Sequence, residues 1–267
     1  IGRGDSSRKK AIWIDAGVHA REWIAPASAV YMIHTLASEK DSEMSHLIDN
    51  LDWYILPVAN PDGYEYSRKE DRVWRKTRSK NVCHWWTCCH GTDINRNFGY
   101  EWGTSGTSSN PCSDIYRGNS PFSEPESRAI RDFVTSHREN IGAYFTLHAF
   151  SQMWLMPFGY SKPAKYPDDF DNLKSTADEA AAAMKAKHGK EYAVGNSAEM
   201  LYAASGAADD YMKGQLGINY TYTIELRPAE AEADDSGGFI LPQCYILPTA
   251  EELFEGVKVV AKKVINS

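Results

Sequence analysis

The segment Gly17-Val18-His19-Ala20-Arg21-Glu22-Trp23 holds a histidine and a carboxylate three residues apart. It follows the apolar run Ala11-Ile12-Trp13-Ile14 and precedes an apolar-periodic stretch from Ile24 to Leu36, a pattern that predicts strand, tight turn and helix. At such a junction the His19 imidazole and the Glu22 carboxylate can point the same way and offer one nitrogen and one or two oxygens to a single cation, and zinc suits that donor set best. Alone the motif is weak, since a surface His and Glu at this spacing arise often by chance and need no metal. Two further residues strengthen it. His148 ends the apolar run Ala143-Tyr144-Phe145-Thr146-Leu147, and Glu225 lies between Ile224 and Leu226 in the run from Tyr220. Both runs read as strands, and in open α/β sheets sites form beyond the carboxyl ends of strands, at or near which His19, Glu22, His148 and Glu225 all fall. His148 would complete a His₂Glu zinc set with the fourth position left for water. A carboxylate in an apolar strand, as Glu225 is, either pairs with a cation such as Arg227 or has a chemical role.

These residues need a sheet to hold them. Leu51 to Val58 is a short, nearly continuous apolar run suited to a central strand buried on both faces, and Asn60-Pro61-Asp62-Gly63 supplies turn chemistry after it. Between Arg68 and Asn110 periodicity is slight while Trp, Cys, Arg, Asn and Gly are frequent, which reads as a long ordered loop of the kind that is usually functional. Ser123-Glu124-Pro125-Glu126 has capping-box spacing ahead of a helix reaching about His137. Asp168 to His188 reads as a surface crossover helix. Thr249-Ala250-Glu251-Glu252 reads as the cap of a C-terminal helix that turns Leu253, Val257, Val260, Ala261 and Val264 to the core. Strands alternating with helices imply one α/β domain over residues 1–267, built on a mixed, mostly parallel central sheet with helices on both faces. With 42% hydrophobic residues the chain can bury such a core.

Charge and cysteine usage exclude several classes. The net charge is -7 and no basic block exceeds Arg8-Lys9-Lys10, which argues against a nucleic-acid surface. No apolar run approaches the ~20 residues of a membrane span, so no membrane partner is expected. Five cysteines, Cys83, Cys88, Cys89, Cys112 and Cys244, include no C-x-x-C pair. One or two disulfides, an oxidising compartment and at least one unpaired thiol follow.

The motifs together resemble the zinc metallocarboxypeptidases of the pancreatic carboxypeptidase A/B family, and the B type more closely. The matching stretches are Ala-Ile-Trp-Ile-Asp-x-Gly-x-His-Ala-Arg-Glu-Trp from Ala11, Asn-Pro-Asp-Gly-Tyr from Asn60 and Trp-Arg-Lys-Thr-Arg-Ser from Trp74. Asp-x-Asn-Arg-Asn-Phe from Asp93, His-Ala-Phe-Ser-Gln from His148, Asp-Asp from Asp209 and Thr-Ile-Glu-Leu-Arg from Thr223 follow in family order. The resemblance implies that His19, Glu22 and His148 hold one zinc ion and that Asp93 orients His19 from behind. It implies Glu225 as general base, Arg75 as oxyanion partner, and Asn95 with Arg96 as the clamp for a substrate's terminal carboxylate. Tyr202 matches the mobile tyrosine that covers the bound terminal residue, and Arg21 adds positive field at the cleft mouth. Asp209 stands where B-type members carry an acid at the pocket floor, so peptide or protein C-termini ending in Lys or Arg are the expected partners. Small Ser197 and Ala208 would leave room for a long basic side chain.

The same resemblance implies a Cys89–Cys112 disulfide, with Cys83 and Cys88 open and adjacent Cys88 leaving an ambiguity of one residue; Cys244 is expected to be a buried lone thiol. It further implies a secreted, monomeric enzyme, an inhibitory prosegment as a separate partner, and a chain short at its N-terminus relative to family catalytic domains. Pro228 to Gly238 is a longer acidic loop than the family pattern has. Two other readings stay open: an A-like or mixed-specificity carboxypeptidase, and a catalytically inert binding protein on the same fold.

Overall fold

The computed structural model describes residues 1–5, 9–38, 41–84, 87–233 and 238–267, with side chains left aside at 81–84 and 87. Trp85, Trp86, the side chain of Cys83 and the tip of the acidic loop at 234–237 therefore lie outside the described residues. Strands β1 (Lys10–Ala16), β2 (Leu51–Leu56), β5 (Ile141–Ser151), β6 (Met153–Met156), β7 (Ala193–Asn196) and β8 (Tyr220–Ala229) form one sheet in the order β2-β1-β5-β8-β6-β7. The first four run parallel, β6 is antiparallel to β8, and β7 is parallel to β6. A separate hairpin pairs β3 (Lys80–His84) with β4 (Thr87–His90).

Strand alternation divides the core in two. Ile12, Ile14, Phe145, Leu147, Tyr222 and Ile224 face one layer, where they meet α1 (Ile24–Ser38), α2 (Ser42–Asn50), α5 (Phe170–His188) and α8 (Ile246–Ile265). Ala11, Trp13 and Tyr144 face the other, against Ile130 and Val134 of α4 (Pro125–Ser136) and Ala208 and Met212 of α7 (Ala208–Gly214). Burial on both faces explains why these strands read as near-continuous apolar runs. Each buried Leu, Val or Phe of α8 contributes about 1.5–3 kcal/mol by leaving water, so a charge at Val257, which is fully buried, would dismantle that layer.

The mixed, mostly parallel single sheet with helices on both faces is the architecture expected. Several boundaries differ for physical reasons. Asn60-Pro61 starts a helix, α3 (Pro61–Lys69), rather than a simple turn: the Asn60 carboxamide accepts from Gly63 N at 3.0 Å, and Pro61 occupies the first turn, where its missing N–H is not needed. Strand β5 continues past His148 to Ser151, with a register shift between Ala149 and Ser151. Helix α8 begins at Ile246, and Thr249 sits inside it with its hydroxyl donating to Tyr245 O at 2.7 Å. The capping box before α4 does not form; Glu124 makes no capping bond and instead accepts from Thr77 Oγ1 at 3.0 Å and Ser123 Oγ at 2.9 Å. Cys244 is free, as expected, but exposed rather than buried, because it lies in a surface 3₁₀ turn (Gln243–Tyr245) just ahead of α8.

Candidate active site

The turn after β1 sets the geometry. Gly17 has φ +66°, and a Cβ there would meet Pro26 Cγ at 3.1 Å and Val58 Cα at 3.3 Å, so the sharp exit toward His19 requires glycine. Asn60 closes this turn onto the next loop by donating to Val18 O at 3.2 Å and Lys76 O at 3.0 Å, which carries Arg75 to the same end of the sheet. His148 arrives on β5 and Glu225 on β8, paired directly across the ladder.

His19, Glu22 and His148 meet with their ligand atoms within 4.8 Å of one another, all buried. His19 Nδ1 lies 2.8 Å from Glu22 Oε1, His148 Nδ1 lies 3.0 Å from Glu22 Oε2, and the two Nδ1 atoms are 3.0 Å apart. Two imidazole nitrogens aimed at each other and at one carboxylate have no mutual donor–acceptor solution that uses all of them, whereas a cation among them accepts every lone pair. Ligands about 2.0–2.1 Å from a tetrahedral zinc are separated by roughly 3.3 Å, close to the spacing here. The outward nitrogens are occupied as ligand imidazoles require: His19 Nε2 faces Asp93 Oδ1 at 3.1 Å and His148 Nε2 faces Thr146 Oγ1 at 3.1 Å. The donor set fits zinc.

Charge is balanced within a few ångströms. Asp93 accepts two bonds from Arg75, Nε at 3.0 Å and Nη2 at 2.8 Å, and also caps the 3₁₀ turn Ile94–Arg96 by accepting from Asn95 N at 2.9 Å. Burial alone would raise the Asp93 pKa, but Arg75 and His19 hold it well below the usual carboxylate range. Burial also opposes the Glu22 charge, and the two imidazoles more than offset this. Burial acts to push His148 down, yet the neighbouring Glu22 carboxylate raises it to about 9. Glu225 is pushed up to about 8 by burial, with a further upward push from Glu22 that His148, Arg75 and Arg96 oppose.

The expected site residues all line one cleft of about 250 Å³: His19, Arg21, Glu22, Arg75, Asn95, Arg96, His148, Tyr202, Asp209 and Glu225. Arg227, the alternative partner considered for Glu225, is paired instead with Glu252 of α8, Nε to Oε2 at 3.0 Å. Asn95 Oδ1 accepts the N–H of Ala208 at 2.9 Å, so its amide NH₂ is the group left for the cleft. Arg96 is fixed by Nε to Gly106 O at 2.9 Å and Nη1 to Asn95 O at 2.7 Å, and its Nη2 reaches the Tyr202 hydroxyl at 3.4 Å. Close approach of the two loops needs Gly206, at φ +73°, where a Cβ would lie 2.4 Å from Arg96 O. Tyr202 itself is 52% exposed, held by little else. Arg21 stacks on Phe239 at 4.2 Å and faces Asp114 at 3.5 Å.

Asp209 lies in the first turn of α7, 3% exposed, with its pKa raised by burial against a hydrogen bond from Thr223. Ser197, Ala204 and Ala207 line the cleft near it, while Ala208, expected to shape the pocket, packs into the core instead. Thr223, Phe150 and Phe239 also line the cleft and were not anticipated. Thr223 could have been found by strand periodicity, two residues before Glu225, but the two phenylalanines carry no such signal. The loop bearing Asp93 to Arg96 is tied by the Cys89–Cys112 disulfide, as expected. Cys88 is disulfide-bonded as well.

Comparison with known proteins places this site in a family. The family profile described as zinc carboxypeptidase matches residues 1–256. Carboxypeptidase B of Astacus astacus is 44% identical over 263 residues, covering 98% of this chain and 82% of that protein. Carboxypeptidase A2 of Mus musculus is 45% identical over 260 residues, covering 96% of this chain but only 59% of that protein, so overall identity does not separate a B type from an A type. Among solved structures, bovine thrombin-activatable fibrinolysis inhibitor in complex with tick carboxypeptidase inhibitor superposes with a TM-score of 0.86 at 41% identity, over 97% of this chain and 83% of that one. With a profile match over nearly the whole length and relatives this similar, the chain belongs to the zinc carboxypeptidase family.

Proposed function

We propose that this protein is a secreted metallocarboxypeptidase that hydrolyses the last peptide bond of peptides and proteins, with preference for C-terminal Lys or Arg. The observation that carries the reading is the convergence of His19 Nδ1, His148 Nδ1 and the Glu22 carboxylate in one cleft with Arg96, Asp209 and Glu225. His19, Glu22 and His148 would hold zinc, which when bound supplies Lewis-acid polarisation of the scissile carbonyl and an acidified water.

The remaining work falls to side chains. Glu225, opposite His148 on β8, takes a proton from the attacking water at its carboxylate and delivers it to the departing amine. Arg75 keeps Nε and Nη2 on Asp93, and its Nη1, 4.0 Å from Glu22 Oε1, is the donor free to meet negative charge developing on the substrate oxygen. Asn95 and Arg96 bind the terminal carboxylate, the guanidinium offering the planar fork that suits it. Tyr202 swings from its exposed position to cover the bound residue and exclude water. Asp209 recognises a cationic side chain, since a desolvated carboxylate gains most from a partner of opposite charge. Secretion is supported by the disulfides. No helix of the described residues is long and apolar enough to cross a membrane.

The test is hydrolysis of peptides ending in Arg, Lys, Phe and Leu, with C-terminal amides as controls, before and after chelation and zinc readdition. The reading requires zinc-dependent release of Arg and Lys ahead of Phe and Leu, and inert amides. Faster release of Phe would favour an A-like enzyme, a reading that the similarity to carboxypeptidase A2 supports; no hydrolysis by zinc-loaded protein would favour an inert binding protein.

A further inference from the structure

We propose that Asp15, acting through Thr146, is a positioning residue that fixes the tautomer of His148, as Asp93 does for His19; this rests on His148 being a metal ligand in the reading above. Asp15 and Thr146 are direct partners in the parallel β1/β5 ladder, and so are Trp13 and Tyr144 one step earlier. Alternation puts all four side chains on one face of the sheet, with His148 two residues beyond Thr146 on that same face. Asp15 is fully buried. Its Oδ2 accepts from Trp13 Nε1 at 2.8 Å and from the Tyr144 hydroxyl at 2.6 Å. Its Oδ1 is buried without a hydrogen-bond partner; Thr146 lies directly across the ladder from it, and its hydroxyl favours the Asp15 charge, which burial opposes more strongly and so raises the pKa.

The Thr146 hydroxyl has one hydrogen, and where it points decides the outcome. Pointed at His148 Nε2, 3.1 Å away, it forces the ring proton onto Nδ1, the nitrogen that faces Glu22 and His19, and it leaves Asp15 Oδ1 orphaned. Pointed at Asp15 Oδ1, it satisfies that oxygen and frees the Thr146 lone pair to accept from Nε2–H, so that Nδ1 keeps its lone pair. The second arrangement gives Asp15 Oδ1 a partner and leaves the Nδ1 lone pair for a bound cation, whereas the first leaves a buried acceptor orphaned, which is costly. The chain therefore runs His148 Nε2–H to Thr146 Oγ1–H to Asp15 Oδ1, ending on a carboxylate that Trp13 and Tyr144 hold from the other side.

Asp15→Asn tests the direction of this chain. An amide NH₂ in place of Oδ1 donates to Thr146, turns the hydroxyl toward Nε2 and places the ring proton on Nδ1. Zinc affinity, measured by chelator competition, should fall about 10–100-fold in Asp15→Asn and in isosteric Thr146→Val, the range seen when partners of ligand imidazoles are lost. Thr146→Ser should stay within about threefold of the unchanged protein, and in the zinc-free protein at a pH above the His148 value of about 9, where the ring is neutral, ¹⁵N shifts of His148 should move to the Nδ1–H pattern in Asp15→Asn. If Asp15→Asn does not fold, the contrast between Thr146→Val and Thr146→Ser decides. Unchanged affinity in Thr146→Val, with affinity lost in His148→Ala, would overturn the relay alone. Unchanged affinity in His148→Ala as well would overturn the metal-site reading and the relay with it.

Discussion

Asp209→Ile should exchange the preferred C-terminal residue without harming the metal site. In the free protein Asp209 is 3% exposed and its carboxyl pKa is raised by burial, with a hydrogen bond from Thr223 opposing. The pocket therefore holds a carboxyl group that has lost much of its water, and under the proposed function a substrate ammonium or guanidinium would give its charged form a partner. Breaking a buried ion pair costs about 3–5 kcal/mol; the cleft opens to solvent, so the lower end applies. At 1.4 kcal/mol per decade, about 3 kcal/mol is roughly a 100-fold loss. kcat/KM for peptides ending in Arg or Lys should fall by at least that much, while peptides ending in Leu or Phe gain several-fold from the new apolar floor. Stability supplies an independent arm. A carboxyl whose folded-state pKa is raised contributes stability below its unfolded value near 3.8, and that contribution is lost as pH rises through the folded value. Replacing it should therefore raise the melting temperature more at pH 7 than at pH 4. Kinetics on a panel of peptides differing only in the last residue, with melting curves at both pH values, would decide. An unchanged Arg-to-Phe ratio with activity intact would refute the pocket assignment.

Three other outcomes follow from the same geometry. Glu225→Gln should keep zinc stoichiometry while lowering kcat by about 10²–10⁴, the usual worth of a general base; near-normal turnover would remove Glu225 from that role. Arg96→Lys should raise KM for free-acid substrates about 10–100-fold, equivalent to one lost charge-assisted bond of about 1.5–3 kcal/mol, and an unaltered KM would show that the terminal carboxylate binds elsewhere. Replacing Cys89 and Cys112 together by Ser should lower stability by roughly 3 kcal/mol on the loop-entropy model for a separation of 23 residues. That corresponds to a melting point lower by about 6–12 °C, and a shift under ~2 °C would contradict it.

Much of the fold and the site was legible because their signals are local or sit at strand ends. The His19/Glu22 spacing after β1, His148 near the end of an apolar run and Glu225 within another are each readable from pattern, and the parallel sheet makes their convergence intelligible. Assigning roles to Arg75, Asn95, Arg96, Tyr202 and Asp209 needed the family resemblance, since each alone reads as an ordinary loop or turn residue. What escaped depends on register and long-range packing. The pairing of Asp15 with Thr146 exists only once β1 and β5 are aligned, and the stacking of Phe239 under Arg21 joins residues from opposite ends of the chain. Asn60 was half legible: Asn-Pro serves equally as turn and as helix start, and only the carboxamide bond to Gly63 N distinguishes them. Cys244 is unpaired as expected but not buried, because the 3₁₀ turn ahead of α8 holds it at the surface against a thiol's usual preference.

The central claim is that two imidazoles and one carboxylate share a single zinc ion. Zinc-edge anomalous scattering from crystals of the zinc-loaded protein tests it most directly. One full-occupancy peak about 2.0–2.2 Å from His19 Nδ1, His148 Nδ1 and a Glu22 oxygen is predicted. A peak elsewhere, or coordination that omits His148, would contradict the account.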